Sequence, residues 1–243
     1  MKTVCAALAL SLAAFPALAQ NVKITPIGSH PGELCANDRA IVFEDPTGVR
    51  FLYDPAHNVT GGDDPRLGTI HLVLLTHMHG DHLGDQKLKA PGAGTCANSG
   101  RMPAPNSTTA EVVAAKNAVL VTTRAMAGFV ANKVGGIRGK PMGFCPQPGG
   151  TTTVPVETAC SSRIDMGGVF TAKAAEASQG VEITIVYASH VNNVPPALLT
   201  EAQRAALKAD GAILEYGPAA GFVIKFTNGL TATSRATPAS IPR

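Results

Sequence analysis

The 243-residue chain has no tryptophan, and aromatic residues make up only 5 % of it. That removes the stacking platforms on which base- and sugar-binding surfaces depend. Charge is also scarce. Asp, Glu, Lys and Arg together account for 15 %, the formal net charge is +3, and no Lys/Arg run occurs. A nucleic-acid partner requires a basic footprint that this composition lacks. Beyond residue 20 no apolar run is long enough to span a bilayer. No repeat, low-complexity tract or linker divides the chain. What is present is 45 % apolar residues, enough at this length for one packed domain.

The first twenty residues stand apart. Lys2 precedes an almost unbroken apolar run over residues 4–18, which ends in the small-x-small text Ala17-Leu18-Ala19. This reads as a signal peptide over residues 1–19. A membrane anchor is the other reading, and the short run with Pro16 inside it speaks against that. The expectation is a domain over residues 20–243 that is periplasmic or secreted, with no anchor after cleavage. In an oxidising compartment Cys35, Cys96, Cys145 and Cys160 are an even set, open to two disulfides in any of three pairings. Buried free thiols are the alternative.

The mature chain alternates strand and helix signals, which predicts an α/β layered domain. Residues 40–44 and 49–53 flank Asp45-Pro46-Thr47-Gly48 and read as a hairpin. Residues 69–76 (TIHLVLLT) form an apolar run suited to a strand covered on both faces. Helices are expected over 109–118, 124–133 and 196–209, and a loop over 135–155. Residues 181–188 read as a strong strand that delivers His190, and Asn228-Gly229 as a second hairpin turn.

Chemistry concentrates in His77-Met78-His79-Gly80-Asp81-His82, directly after the apolar strand. Imidazole and carboxylate are the ligands that zinc-type ions take in catalytic sites, and strand ends are where α/β folds place such sites. In an extended segment His77 and His79 project the same way, and Gly80 permits a bend before Asp81 and His82. A chance surface cluster would crowd three of the seven histidines at the end of an apolar strand without benefit. Asp54, before Pro55, reads equally as a site residue or a turn residue. Asp85 reads as a helix cap, His57 and His71 as bland, and His30 as a weak site candidate.

The text THMHGDH, with Asp54 before it and His190 after a later strand, resembles the metallo-β-lactamase superfamily, and most of all the UlaG-like (UPF0173-type) metal-dependent hydrolases. Ile27-Gly28-Ser29-His30 is similar to that group's opening turn. The resemblance implies an αββα sandwich and a hydrolase. A first metal would lie on His77, His79 and His190, and a second on Asp81 and His82. Asp81 would orient the attacking water, and Asp54 would steady a ligand or the motif loop from behind. The implied cofactor is Zn2+, one or two ions, with Mn2+ or Fe2+ as other options. The implied partner is a small-molecule substrate such as an ester, lactone or phosphoester. A non-catalytic exported protein that keeps only the first metal is a second reading. A β-lactamase is a third, disfavoured by the long Cys/Gly/Pro-rich stretch between His82 and His190.

The resemblance also implies a Gly-Asp-Thr-Gly segment, whose carboxylate bridges two metals, and a final histidine. Neither occurs, and after Ala232 the text reads TSRATPASIPR. Codons for YLSGDTGI (TAC CTC TCG GGC GAC ACC GGC ATC), stripped of their first base, encode TSRATPA followed by serine, which matches residues 233–240. The expectation is therefore a frameshifted, incomplete sandwich with residues 233–243 out of frame, a weak second metal, an unpaired strand near residues 222–226, and low or no activity with poor stability. A naturally short relative with an unrelated tail is the alternative.

Overall fold

The computed structural model describes residues 21–234, apart from 33, 98, 147–149 and 163. The signal peptide expected over 1–19 and the tail from 235 onward lie outside the described residues.

Two sheets hold most of the strands. The first contains β1 (Lys23–Pro26), β2 (Ile41–Glu44), β3 (Arg50–Tyr53), β4 (Leu72–Leu74), β7 (Val119–Val121) and β9 (Cys160–Ser161), in the order β1-β2-β3-β4-β7-β9. The hairpin read around Asp45–Gly48 is the antiparallel β2–β3 pair, with Ile41 opposite Tyr53 and Glu44 opposite Arg50. From β3 onward the strands run parallel. β4 and β7 lie inside this parallel region and all their residues are buried, which is why the underlying text is apolar without alternation. Between them a two-stranded ribbon, β5 (Gln86–Leu88) with β6 (Arg101–Pro103), branches off.

The second sheet has the order β13-β12-β11-β10-β8, from β8 (Thr151–Val154), β10 (Val169–Ala174), β11 (Val181–Ala188), β12 (Ala219–Lys225) and β13 (Thr231–Ser234). Its faces alternate. In β11 Val181, Ile183, Ile185 and Ala188 are buried while Glu182 and Tyr187 face out. Aromatic rings join the sheets: Phe226 stacks on Phe51 at 5.9 Å, which stacks on Phe43 at 5.1 Å, and Tyr53 meets Phe222 edge-on at 6.2 Å. Each such pair adds about 0.5–1.5 kcal/mol beyond the area it buries.

Helices α1 (Thr108–Lys116) and α2 (Arg124–Arg138) pack on each other and against the first sheet. Helix α3 (Glu201–Ala209) has no fully buried residue. Among the described residues, no helix is long and apolar enough to cross a membrane.

Three sequence expectations are corrected. Helix α2 runs past Gly135 and Gly136 to Arg138 because Val130 and Val134 are buried on its inner face, so packing overrides the glycine cost. The helix expected over 196–209 is broken into a 3-10 turn at Pro196–Leu198 and α3, whose start is a capping box between Thr200 and Gln203. The strand at 222–226 is not unpaired: Phe222 lies opposite Ser234 and Lys225 opposite Thr231. The edge position therefore falls to β13, and Thr233 and Ser234 continue a regular strand.

The four cysteines among the described residues are bonded, Cys35 to Cys96 and Cys145 to Cys160. This leaves one of the three open pairings and excludes buried free thiols.

Candidate metal centre

The histidine segment leaves the C-terminal end of β4 at the seam between the two sheets. Ala220 N–H, in β12, donates to Thr76 O at 2.7 Å and ties the segment to the second sheet. Residues 80–84 then make one π-helical turn. Gly80 is needed there for space: a Cβ would come within 2.4 Å of Asp85 Oδ1. Gly84 combines φ +84° with a Cβ position 1.8 Å from Thr108 Oγ1, so no other residue fits this exit from the turn.

His77, His79 and His190 converge, although more than a hundred residues separate the first two from the third. One ring nitrogen from each lies within 4.8 Å of the others, and their ring centroids are 4.6–4.8 Å apart. β11 brings His190 to this point from the second sheet.

Hydrogen bonds fix which nitrogen His77 and His79 present. Thr76 Oγ1 donates to Asp54 Oδ2 at 2.7 Å, so it accepts from His77 Nδ1–H at 3.0 Å. His77 Nε2 is buried and without a hydrogen-bond partner among the described residues. A buried lone pair left unpaired is costly, and a metal ion would satisfy it. His79 Nε2–H donates to Asn193 Oδ1 at 2.8 Å, which turns Nδ1 inward to within 3.2 Å of His190 Nε2. Nitrogens bound at about 2.0–2.1 Å in a tetrahedron lie roughly 3.3 Å apart, so this spacing suits one shared ion. Burial first, and then the neighbouring histidines, hold His77 far below the ordinary histidine range; burial and His79 lower His190 in the same direction. Both rings are therefore neutral at pH 7, the form that binds metal.

Asp81 and His82 stand beside this triplet and outside it. His82 Nε2 is 3.6 Å from Asp81 Oδ2, and the His82 and His77 ring centroids are 4.0 Å apart. Among the described residues, no third His, Cys, Asp or Glu completes a ligand group with them. Asp54 holds His82 from behind, accepting from His82 Nδ1–H at 2.7 Å and from Thr76 N–H at 2.9 Å. It does so with φ +37°, a backbone state that non-glycine residues adopt only where their surroundings impose it.

Several contributors were not legible in the sequence. Asn192 is fully buried; its Oδ1 accepts from Met78 N–H at 2.7 Å while its amide donates to the carbonyls of Tyr216 and Gly217. His57, read as bland, donates from Nε2 to Asp85 Oδ1 at 2.7 Å and accepts from Arg101 Nη1 at 3.2 Å. Asp85, read as a helix cap, is thereby fixed beneath Gly80. His30 lies apart from the triplet, with Nε2 3.4 Å from Cys96 Sγ; the disulfide removes both neighbouring sulfurs as thiolate ligands. A groove of about 570 Å³ between Phe144 and Thr151–Thr153 is lined by none of the site residues.

No family model matches the sequence, and no curated protein matches it. Among solved structures the chain is similar to Igni18, described as a novel metallo hydrolase from the hyperthermophilic archaeon Ignicoccus hospitalis KIN4/I, at 18 % identity and a TM-score of 0.44. The match covers 90 % of this chain and 63 % of that one, so the chain spans less than two thirds of the length of that structure.

Proposed function

We propose that the chain is an exported metal-dependent hydrolase of the metallo-β-lactamase type, UlaG-like in its motif, built as an αββα sandwich and acting on a small ester, lactone or phosphoester. The observation that carries this reading is the convergence of His77, His79 and His190, two of them neutral by burial, around the unsatisfied Nε2 of His77.

The three imidazoles would hold one Zn2+, with Mn2+ or Fe2+ as possible substitutes for the same nitrogen donors. When bound, the ion supplies Lewis acidity and brings the pKa of water close to neutrality. Thr76 and Asn193 keep His77 Nε2 and His79 Nδ1 turned inward, so the donor set is built before the ion arrives. Asp81, one third exposed, would accept a hydrogen bond from an attacking water and hold it in line with a bound carbonyl or phosphoryl group.

The test is elemental analysis together with hydrolysis of 4-nitrophenyl acetate, a simple γ-lactone and bis(4-nitrophenyl) phosphate, before and after chelation. One or more zinc equivalents and a chelator-sensitive activity on at least one substrate are expected. A protein that retains no metal, or whose His190→Ala variant retains it undiminished, would overturn the reading. Nitrocefin turnover would identify a β-lactamase instead. That no third His, Cys, Asp or Glu joins Asp81 and His82 among the described residues favours a second reading, a one-ion protein without catalysis; metal retention with no turnover of any substrate would decide for it.

A further inference from the structure

We infer that the Arg39 guanidinium takes the place of a second cation beside Asp81 and His82, making this a site for one metal ion. The inference rests on the metal-site reading above. It concerns a residue outside the histidine motif, brought there by the loop that precedes β2.

Asp81 Oδ2 has two nitrogen neighbours at the same distance. His82 Nε2 lies 3.6 Å away and Arg39 Nη2 also lies 3.6 Å away. A metal shared by Asp81 and His82 would need about 2.0–2.2 Å to each ligand atom. It would then share its carboxylate oxygen with a guanidinium that stays protonated in proteins. Two cations competing for one carboxylate oxygen repel each other, and the covalently held one has no entropy of capture to recover. Asp81 is thus already ion-paired, and among the described residues it and His82 offer an incoming ion only two ligand atoms.

Arg39 is held in position by its backbone. Its N–H donates to Asn58 Oδ1 at 3.0 Å. The preceding Asp38 accepts from Ser29 N–H at 3.0 Å, from Cys35 N–H at 2.9 Å and from the amide of Asn58. Cys35 is bonded to Cys96. The side chain has only a fifth of its surface exposed, and its Nε is buried without a hydrogen-bond partner among the described residues. That Nε is left unsatisfied while the guanidinium leans toward Asp81 marks the ion pair as the feature that sets the side chain's position.

The test is zinc titration by calorimetry with elemental analysis, on the full chain and on Arg39→Ala, Arg39→Met and Arg39→Lys, each checked for folding by circular dichroism. The wild type should bind one equivalent tightly. Arg39→Ala and Arg39→Met should gain at least tenfold in affinity for a second equivalent, and Arg39→Lys, which keeps the charge, should gain little. Adding Asp81→Asn to Arg39→Met should abolish the gain. Two equivalents bound with similar affinity by the wild type would overturn the inference, and so would an unchanged second affinity in both neutral variants. Failure of the underlying metal-site reading would show differently, as a first equivalent that His190→Ala does not weaken.

Discussion

The Nδ1–H of His82 donates to Asp54 Oδ2 at 2.7 Å, with both side chains almost wholly withdrawn from solvent. The same oxygen accepts from Thr76 Oγ1, which in turn receives His77 Nδ1–H. One carboxylate thus sets the orientation of two imidazoles. Asp54→Asn keeps the shape and gives up the charge, and should weaken zinc binding about 10- to 100-fold. Thr76→Val leaves His77 Nδ1–H without its acceptor and should cost about 1–3 kcal/mol of stability in addition. Zinc titration paired with urea denaturation separates the two effects. Zinc affinity equal to wild type in both variants would show that Asp54 is only a strand-end residue.

Asn192 and Asn193 are neighbours in sequence with different duties. Asn193 fixes the tautomer of His79, whereas Asn192 bonds the backbone of residues 78, 216 and 217. Asn193→Ala should lower zinc affinity about 10- to 100-fold with little change in melting temperature. Asn192→Ala strands the Met78 N–H and two carbonyls in a dry place and should cost about 1–3 kcal/mol or more. The measurement is a melting curve and a zinc isotherm for each variant. If Asn193→Ala leaves the isotherm unmoved, its bond to His79 plays no part in metal binding.

These two asparagines also show where sequence reasoning stops. His77, His79, Asp81 and His82 are legible because their spacing is local: alternation along an extended segment, then a bend. The β2–β3 hairpin is legible for the same reason, since Asp45–Gly48 states its own turn chemistry. Asn192 and Asn193 bond to residues 114 positions away, and nothing in Asn-Asn announces this beyond its position just after His190. Arg39 is likewise set beside Asp81 by tertiary packing. Thr200-x-x-Gln203 is a different kind of miss. It is a complete local start signal that competes with the earlier one Pro196 supplies at the 3-10 turn.

The two disulfides enclose loops of different length, 61 and 15 residues apart in sequence. On loop-closure entropy alone, Cys35–Cys96 stabilises the fold by about 4 kcal/mol and Cys145–Cys160 by about 3 kcal/mol. Cys35→Ser with Cys96→Ser should therefore lower the urea midpoint more than Cys145→Ser with Cys160→Ser. Only the first pair should also alter the second-ion affinity, because Cys35 N–H anchors the Asp38 carboxylate next to Arg39. Equal effects of both pairs on the zinc isotherm would break the proposed link between this disulfide and Arg39.

His71 lies apart from the metal centre and gives a pH dependence that can be isolated. Its Nδ1 accepts from Arg50 N–H at 2.9 Å, which requires a neutral ring with a free lone pair. Burial, with a smaller contribution from the Arg50 charge, lowers its pKa below the ordinary 6.5. Below about pH 6.5 the unfolded chain takes up a proton at this residue that the folded chain resists, so the unfolded state binds more protons and stability is lost as the pH is lowered. Above that value the contribution is fully present. Melting temperatures of the chelated protein should accordingly drop between pH 7 and pH 5. His77 is depressed by burial in the same direction and adds to the slope. His71→Asn retains an acceptor of similar reach and removes the titration, so it should lower stability at pH 7 and flatten the decline toward pH 5. A melting temperature that falls with pH as steeply in His71→Asn as in wild type would assign the acid sensitivity to the site histidines alone.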